Sequence, residues 1–487
     1  MLFDFSVPSS HDPERRYDVC ICGAGVAGIT LARRLADAGL EVALLEAGGL
    51  ELTEQSQRFY SADSIGMPYN PSATRLRFLG GTSNHWAGRC KPFTAFDFER
   101  ESLAGLPGWP IEKAEIDKHL SEAKEILDLA PDDTFSSLDG PRIDSENFVA
   151  DSFATSPPTR FKDKYLGYLR DRPNLHLFLN ANLTEILLDE NHRSVDWVRV
   201  KDYSGRESRF HSRVYVLSMG ALENARMLLA SRNQIAGGIG NPSGLLGKCF
   251  MEHFRVDVGD FVLNDEHSQS YRYFQFFTSE RFVSENDIGS MNLAFSIVSG
   301  YTAYGRSARL KEAVQKAACE SGTDAYLRFL MDFRCPGEGK IGSLCEQSPN
   351  PKSRVFLADE TDALGVPTAV IDWQMNEFDK RTIRRAATAI AQGFARNDVG
   401  RIQLKDFILD ESLDIPSNHH SHHMGTTRMA ARADHGVVDA NCRVFGADNL
   451  YAAGSSIFST GGANNPTLPL VQFALRLADH LAVKVGR

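Results

Sequence analysis

Long apolar runs are missing from this chain of 487 residues. No stretch reaches the length of a membrane span, so an integral membrane protein is not expected. Runs of lysine or arginine are missing too, and with a formal net charge of -10 a nucleic-acid partner is not expected either. No C-x-x-C-H occurs, which removes the signature of haem attachment. The cysteines (Cys20, Cys22, Cys90, Cys249, Cys319, Cys335, Cys345, Cys442) are scattered and give neither a disulfide framework nor a zinc site. Cys20 and Cys22 read instead as small hydrophobes in a buried strand. The opening MLFDFSVPSSHDPERR lacks a basic start with an apolar stretch and cleavage site, and lacks a twin arginine, so a cytoplasmic location is expected. Internal repeats and low-complexity tracts are absent as well. What remains is the composition of an ordinary globular protein, 24% charged and 42% hydrophobic, long enough for about two to four domains.

The most informative stretch is Tyr17 to Glu46, YDVCICGAGVAGITLARRLADAGLEVALLE. A short apolar run (Val19 to Cys22) meets Gly23-Ala24-Gly25-Val26-Ala27-Gly28. An apolar-faced helix follows (Val26, Ile29, Ala32, Ala36), Gly39 stops it, and a second apolar run ends at Glu46. In a strand, turn, helix and strand of this kind the first glycine allows the tight turn. The second lets backbone approach a pyrophosphate, and the third lets helix and strand pack closely. Glu46 stands where a carboxylate accepts from a ribose 2′-hydroxyl. The competing reading, a turn that only packs a helix, does not require an acid at that spacing.

Further along, Arg75 to Arg89 (RLRFLGGTSNHWAGR) places small residues beside Asn84, His85 and Trp86. It offers close backbone donors to a cofactor, or else is a glycine-rich connection with a satisfied histidine. A helical pattern runs from Pro110 to about Ala130, and Pro131 to Pro158 reads as a long loop or lid. Leu175 to Leu188, Val195 to Val200 and Arg213 to Leu217 read as strands. The last feeds Gly220 and a helix, repeating the opening architecture, and should lie in the same sheet. From about Lys248 to Met375 the texture turns to alternating aromatic-rich strands (Tyr271 to Phe277, Met291 to Val298, Ser353 to Leu357, Thr368 to Trp373), interrupted by a helical Ala308 to Phe333. This predicts an antiparallel sheet. Asn449 to Gly454 then returns to the first texture, ahead of a Gly-Ala-Asn-Asn-Pro loop and a helix over Thr467 to Val485. The fold class is therefore α/β with α+β: a Rossmann-type nucleotide domain from both chain ends, with an inserted antiparallel-sheet domain. The boundaries are 1–95, 161–247 and 431–487 for the nucleotide domain, 96–160 for a helix and lid segment, and 248–430 for the inserted domain.

Two polar loops carry chemistry. Asn418 to Met429 (NHHSHHMGTTRM) holds four histidines in five residues, yet no carboxylate or cysteine lies at ligand spacing inside it, so no metal is expected. A histidine acting as general base suits an operating pH near neutrality. Gly461 to Thr467 (GGANNPT) puts Asn465 and Pro466 at the start of the closing helix, whose positive end suits an electron-rich group such as a reduced flavin.

These segments together identify the chain as similar to the glucose-methanol-choline oxidoreductase family, almost end to end. Gly23 to Glu46 resembles the family's FAD fingerprint, and RVYVLSMGALENARMLLAS (Arg213 to Ser231) its second signature. EQSPNPKSRVFLADETDALGVP (Glu346 to Pro367) resembles its substrate-domain strand pair, and NLYAAGSS (Asn449 to Ser456) its flavin-contacting strand. Leu79 to Trp86 and His422-x-x-Gly-Thr-x-Arg-Met429 resemble most the branch of pyranose oxidases and bacterial sugar and glycoside dehydrogenases. The resemblance implies an FAD enzyme oxidising a secondary hydroxyl of a sugar or glycoside to a ketone. His422 would be the base and Asn465 would hold the substrate oxygen. Gly23, Gly25, Gly28, Glu46, Gly80, Gly81, Asn84, His85, Leu183, Gly220, Gly454, Pro466 and Thr467 would contact the cofactor. His85 matches the position of a histidine linked covalently to flavin in pyranose oxidases, although Asn84 stands where those have threonine. A non-sugar alcohol, or a lyase reaction with the same histidine as acid-base, is the alternative. Oxygen or a redox partner would take the electrons. A loop that only packs His422, or one that sends His419 or His420 to the substrate, competes with its role as base.

Overall fold

The apolar run before the glycine turn forms the strand Arg16–Cys22 in a computed structural model. The structure describes residues 1–8, 12–133, 135, 140–143, 146–264, 273–297, 314, 317–330, 335 and 337–486. Around this strand the sheet runs Leu2–Asp4, Leu175–Leu179, Val42–Leu45, Arg16–Cys22, Glu207–Leu217, every neighbouring pair parallel. Val42–Leu45 is buried throughout, as expected for parallel strands covered on both faces. Glu207–Leu217 has two halves. Its first part pairs antiparallel with Val195–Lys201, which pairs in turn with Asn182–Leu188, and its last part pairs parallel with Leu450–Ala452. In this register Cys22, Leu45, Leu217 and Ala452 come level. The carboxyl ends of four strands therefore face one crevice, where open α/β sheets bind ligands. The helices Val26–Asp37 and Thr467–Val485 pack against each other.

A second sheet is antiparallel throughout. Its order is Gly400–Leu404, Asp257–Leu263, Glu338–Glu346, Met291–Ile297, Tyr273–Thr278, Phe148–Ala150, and His253–Arg255 joins Glu338–Glu346 to Asn418–His419. The helix Glu377–Arg396 packs on it through buried Ile383, Ala386, Ala387, Ile390 and Phe394, started by a capping box of Asn376 and Asp379. Among the described residues no helix is long and apolar enough to cross a membrane.

Several sequence expectations are corrected here. The run Leu175 to Leu188 is two strands rather than one, broken at Asn180, which adopts φ 57°. The pattern after Pro110 yields two short helices, Ala114–Asp117 and Leu120–Ile126, in place of one. Arg354–Thr361 and Pro367–Trp373 do not join the large antiparallel sheet; with Asp63–Gly66 they make a separate sheet of three strands. Phe148–Ala150 is an edge strand inside the stretch read as loop. Cys319 and Cys335 form a disulfide with Cα atoms 5.9 Å apart, a single bond that the scattered cysteines, read as giving no disulfide framework, did not announce. Such pairing is favoured in oxidising compartments. Tyr271, Arg272, Val298 and most of Ala308 to Phe333 lie outside the described residues; Asp324–Leu330 within them is helical.

Candidate active site

At the end of Arg16–Cys22 the chain turns through Gly23 into Val26–Asp37, a helix whose first amides receive no side-chain cap. Uncapped donors at a helix start suit an anion. The glycines here do different things. A Cβ on Gly28 would lie 1.9 Å from the Gly23 carbonyl oxygen and 2.7 Å from Ser218 Oγ, so packing alone demands Gly28. A Cβ on Gly25 would meet nothing within 4 Å; Gly25 lines an open cavity, so the protein itself leaves room there for a ligand to approach the backbone. Gly28 is not part of the lining.

The cavity starts at this turn and runs along the strand ends, past Glu46, Leu183, Met219, Gly220 and Gly454, to Ser421, His422 and His423. Glu46 is buried, and its two carboxylate oxygens accept from the backbone N–H of Ala24 (3.0 Å) and Gly48 (2.8 Å). Burial pushes its pKa up against these donors. The ribose contact expected of Glu46 is thus additional to its work in tying the turn to the next strand.

The stretch from Arg75 to Arg89 packs on the same turn. Gly80 N–H donates to Ala24 O at 2.9 Å, and Leu76, Arg77, Gly81, Thr82, Ser83 and Trp86 line the cavity. Asn84 turns inward on its own loop, donating to Leu79 O and Gly81 O at 3.0 and 2.9 Å. His85 is exposed, with its pKa lowered by partial burial and by Arg160. Gly80, Asn84 and His85 are therefore outside the lining, although their loop forms part of it.

Sequence reasoning missed the charged wall of this cavity. Glu223 takes Arg75 at 2.9 Å and Arg226 at 3.0 Å, and Arg226 also reaches Asp362. Burial pushes Glu223 up, but Arg226, Arg75 and Arg77 outweigh it and hold its pKa at about 2. Removing one partner of such a buried cluster costs about 3–5 kcal/mol. Arg77 donates to Asn182 at 2.8 Å, while its buried Nε has no partner among the described residues. The uncapped helix start, the gap over Gly25 and this unused donor fit FAD.

At the far end, two backbone alignments present the histidines. Phe254 pairs with His419 and Met251 with Met424, so one segment advances three residues where the other advances five. The excess loops out at Ser421, which adopts φ 65°, and turns His422 toward the cavity. His422 Nδ1 lies 2.8 Å from His253 Nδ1, and among the described residues its Nε2 has no hydrogen-bond partner. Burial first, then His253 and His420, hold the pKa of His422 well below its usual value. His423 also lines the cavity, but its buried Nε2 has no hydrogen-bond partner among the described residues and lies 3.7 Å from Glu252 Oε1. Burial raises Glu252 to about 7. His420 is held by Ser343 O at 3.0 Å. Asn465 stands outside the lining, its Nδ2 donating to Arg89 O at 3.0 Å; Pro466 and Thr467 beside it are lining residues. No group of three or more metal-binding side chains occurs among the described residues.

Residues 349–474 match the family model described as GMC oxidoreductase, and residues 18–221 that described as FAD dependent oxidoreductase. The chain is 26% identical to 6'''-hydroxyparomomycin C oxidase of Streptomyces lividus, over 96% of this chain and 92% of that protein. It is 25% identical to C-glycoside 3-oxidase of Microbacterium trichothecenolyticum, over 88% and 79%. The structure of pyridoxine 4-oxidase from Mesorbium loti superposes with a TM-score of 0.60 at 17% identity, over 95% of this chain and 99% of that one, and shares its fold.

Proposed function

We propose, from the premise that this chain is a GMC oxidoreductase that uses FAD, that it oxidises a secondary hydroxyl of a sugar or glycoside to a ketone. FAD, when bound, supplies the acceptor for the hydride leaving the carbinol carbon. The observation that carries the reading is a cavity running from the glycine turn to His422, whose Nε2 has no hydrogen-bond partner among the described residues. His422 takes the hydroxyl proton at that nitrogen, kept neutral by its lowered pKa. The family resemblance assigns Asn465 to the substrate oxygen; here it stands outside the cavity lining with its Nδ2 donating to Arg89 O, so its role rests on that resemblance alone.

Residues 1–95, 161–247 and 431–487 hold the cofactor in this reading, and 248–430 with 96–160 shape the substrate side. The likeness to a glycoside oxidase and an aminoglycoside oxidase supports a sugar-like substrate. The test is anaerobic: sugars, glycosides and simple alcohols are added to the purified flavoprotein and bleaching of its absorbance is followed. Bleaching by a sugar or glycoside is the expected result. Bleaching by simple alcohols alone, or by none of the panel, refutes the substrate class. Peroxide formation in air then tells oxygen from a separate redox partner as acceptor.

A further inference from the structure

A chain of hydrogen bonds leads from the far side of the second sheet to the proposed base. Arg100 clasps both oxygens of the fully buried Glu346 at 2.8 Å. Glu346 Oε1 also accepts from the Gly462 N–H at 2.9 Å, and Oε2 from the Ser290 N–H at 2.9 Å. Gly462, anchored through its N–H in this way, presents the carbonyl of the next peptide to His253 Nε2 at 2.7 Å. His253 Nδ1 meets His422 Nδ1 at 2.8 Å. Gly462 has φ 56°, and a Cβ there would press on Asp97 Oδ1 at 3.1 Å and on Phe93 at 3.2 Å, so this turn suits glycine.

The partners assign the protons. A carbonyl oxygen only accepts, so His253 Nε2 must carry the hydrogen. Neutral imidazole has a single N–H, which leaves His253 Nδ1 bare and able only to accept. His422 Nδ1 must then be the donor, and His422 Nε2 the bare nitrogen. A protonated His253 would reverse this, putting the hydrogen of neutral His422 on Nε2 and removing the base. His253 is fully buried, which lowers its pKa to about 4. The ionisable groups acting on it are His420, which lowers its pKa further, and Glu346, bound by Arg100, which raises it; Glu252 accepts from the His253 backbone N–H at 3.1 Å.

We infer that His253 is a positioning residue that fixes His422 in the Nδ1–H tautomer, so that Nε2 faces the cavity ready to accept a proton. This rests on His422 being the base. As the substrate proton arrives at Nε2, His422 keeps its Nδ1–H bond to His253 Nδ1, which stabilises the imidazolium; no proton needs to leave His253.

The test separates the two functions of the ring. His253→Asn keeps an acceptor at the Nδ1 position and loses the donor to Gly462, whereas His253→Gln keeps the donor and loses the acceptor. In holoenzyme carrying 15N-labelled histidine, with the His422 signals identified by their loss in His422→Gln, the wild-type protein should show Nδ1–H and bare Nε2. The Asn variant should retain that pattern and reduce its flavin within a fewfold of the wild-type rate. The Gln variant should shift toward Nε2–H and slow flavin reduction by about 10–100-fold, as loss of an outer partner of a functional histidine does. Nε2–H in wild-type His422, or a Gln variant with unaltered tautomer, overturns the inference. Should neither variant fold, the wild-type tautomer alone decides. The catalytic reading beneath it fails by a separate result, a wild-type rate of flavin reduction in His422→Ala.

Discussion

Gly25→Ala and Gly28→Ala add the same methyl group three residues apart and should fail in opposite ways. At Gly28 the new Cβ would overlap the Gly23 carbonyl at 1.9 Å, backbone that belongs to the central strand and its turn. Overpacking of this kind costs about 1–3 kcal/mol and occasionally more, and here it falls on the folded chain whether or not FAD is present. At Gly25 the backbone is extended, with φ -84° and ψ -164°, which alanine adopts freely, and no protein atom stands within 4 Å of the new methyl. The apoprotein should keep its Tm or gain slightly, since alanine narrows the unfolded ensemble by about 0.4–1 kcal/mol. The cost appears on binding: if the pyrophosphate approaches Gly25 as the turn implies, the same 1–3 kcal/mol of crowding weakens FAD by about 5- to 150-fold in Kd. Apoprotein from riboflavin-starved expression gives the two Tm values, and FAD titration of each gives the affinities. Wild-type affinity in Gly25→Ala would show that the cofactor does not lie over this turn. A wild-type apoprotein Tm in Gly28→Ala would refute the packing argument.

Three further predictions concern the site and its buried charges. His422→Ala should slow flavin reduction by ~10²–10⁴-fold with FAD still bound, while His419→Ala and His420→Ala do far less; stopped-flow reduction under argon compares them. Acid precipitation tests the proposed link at His85: yellow colour retained in the pellet supports covalency, and flavin wholly in the supernatant excludes it. Asp379, which caps the helix Glu377–Arg396, has its pKa pushed by burial up to about 7. Its folded state therefore holds a proton that the unfolded state releases near pH 4, and stability from this group is lost as pH rises from there through about 7. Relative to wild type, Asp379→Asn should gain Tm between pH 5 and pH 8; a difference that stays flat with pH contradicts the shifted carboxyl.

The parallel sheet was legible because its strands sit next to turns that announce themselves. Val19 to Cys22 ends in glycine, Val42 to Leu45 ends at Glu46, and Arg213 to Leu217 feeds Gly220. The helix Glu377–Arg396 went unread even though Asn376 and Asp379 form a capping box and Ile383, Ala386, Ala387, Ile390 and Phe394 recur at helical spacing; no chemical motif drew attention to it. Asp63–Gly66 is fully exposed and has no alternation to betray a strand. In the site, local motifs pointed to the glycine turn and to His422. They were silent about His253, whose place beside His422 follows from two pairings more than 160 residues apart in sequence. They were silent as well about the wall of Arg77, Glu223 and Arg226, backed by Arg75, drawn from separate elements and meaningful only once folded together.

The pairing of Leu450–Ala452 with the end of Glu207–Leu217 has a consequence for biosynthesis. The glycine turn is made early, but the cavity it opens is walled on the other side by Gly454, Pro466, Thr467 and Leu470. While translation is still short of these residues the crevice lacks that wall, and the upstream strands wait with the edge of Glu207–Leu217 unpaired. Domains generally fold as units from the amino-terminal end during synthesis, whereas the complete cavity of this chain needs its first motif and its last helix together. Cofactor loading is therefore a late event, and a ribosome stalled short of residue 450 should carry a nascent chain that binds no flavin.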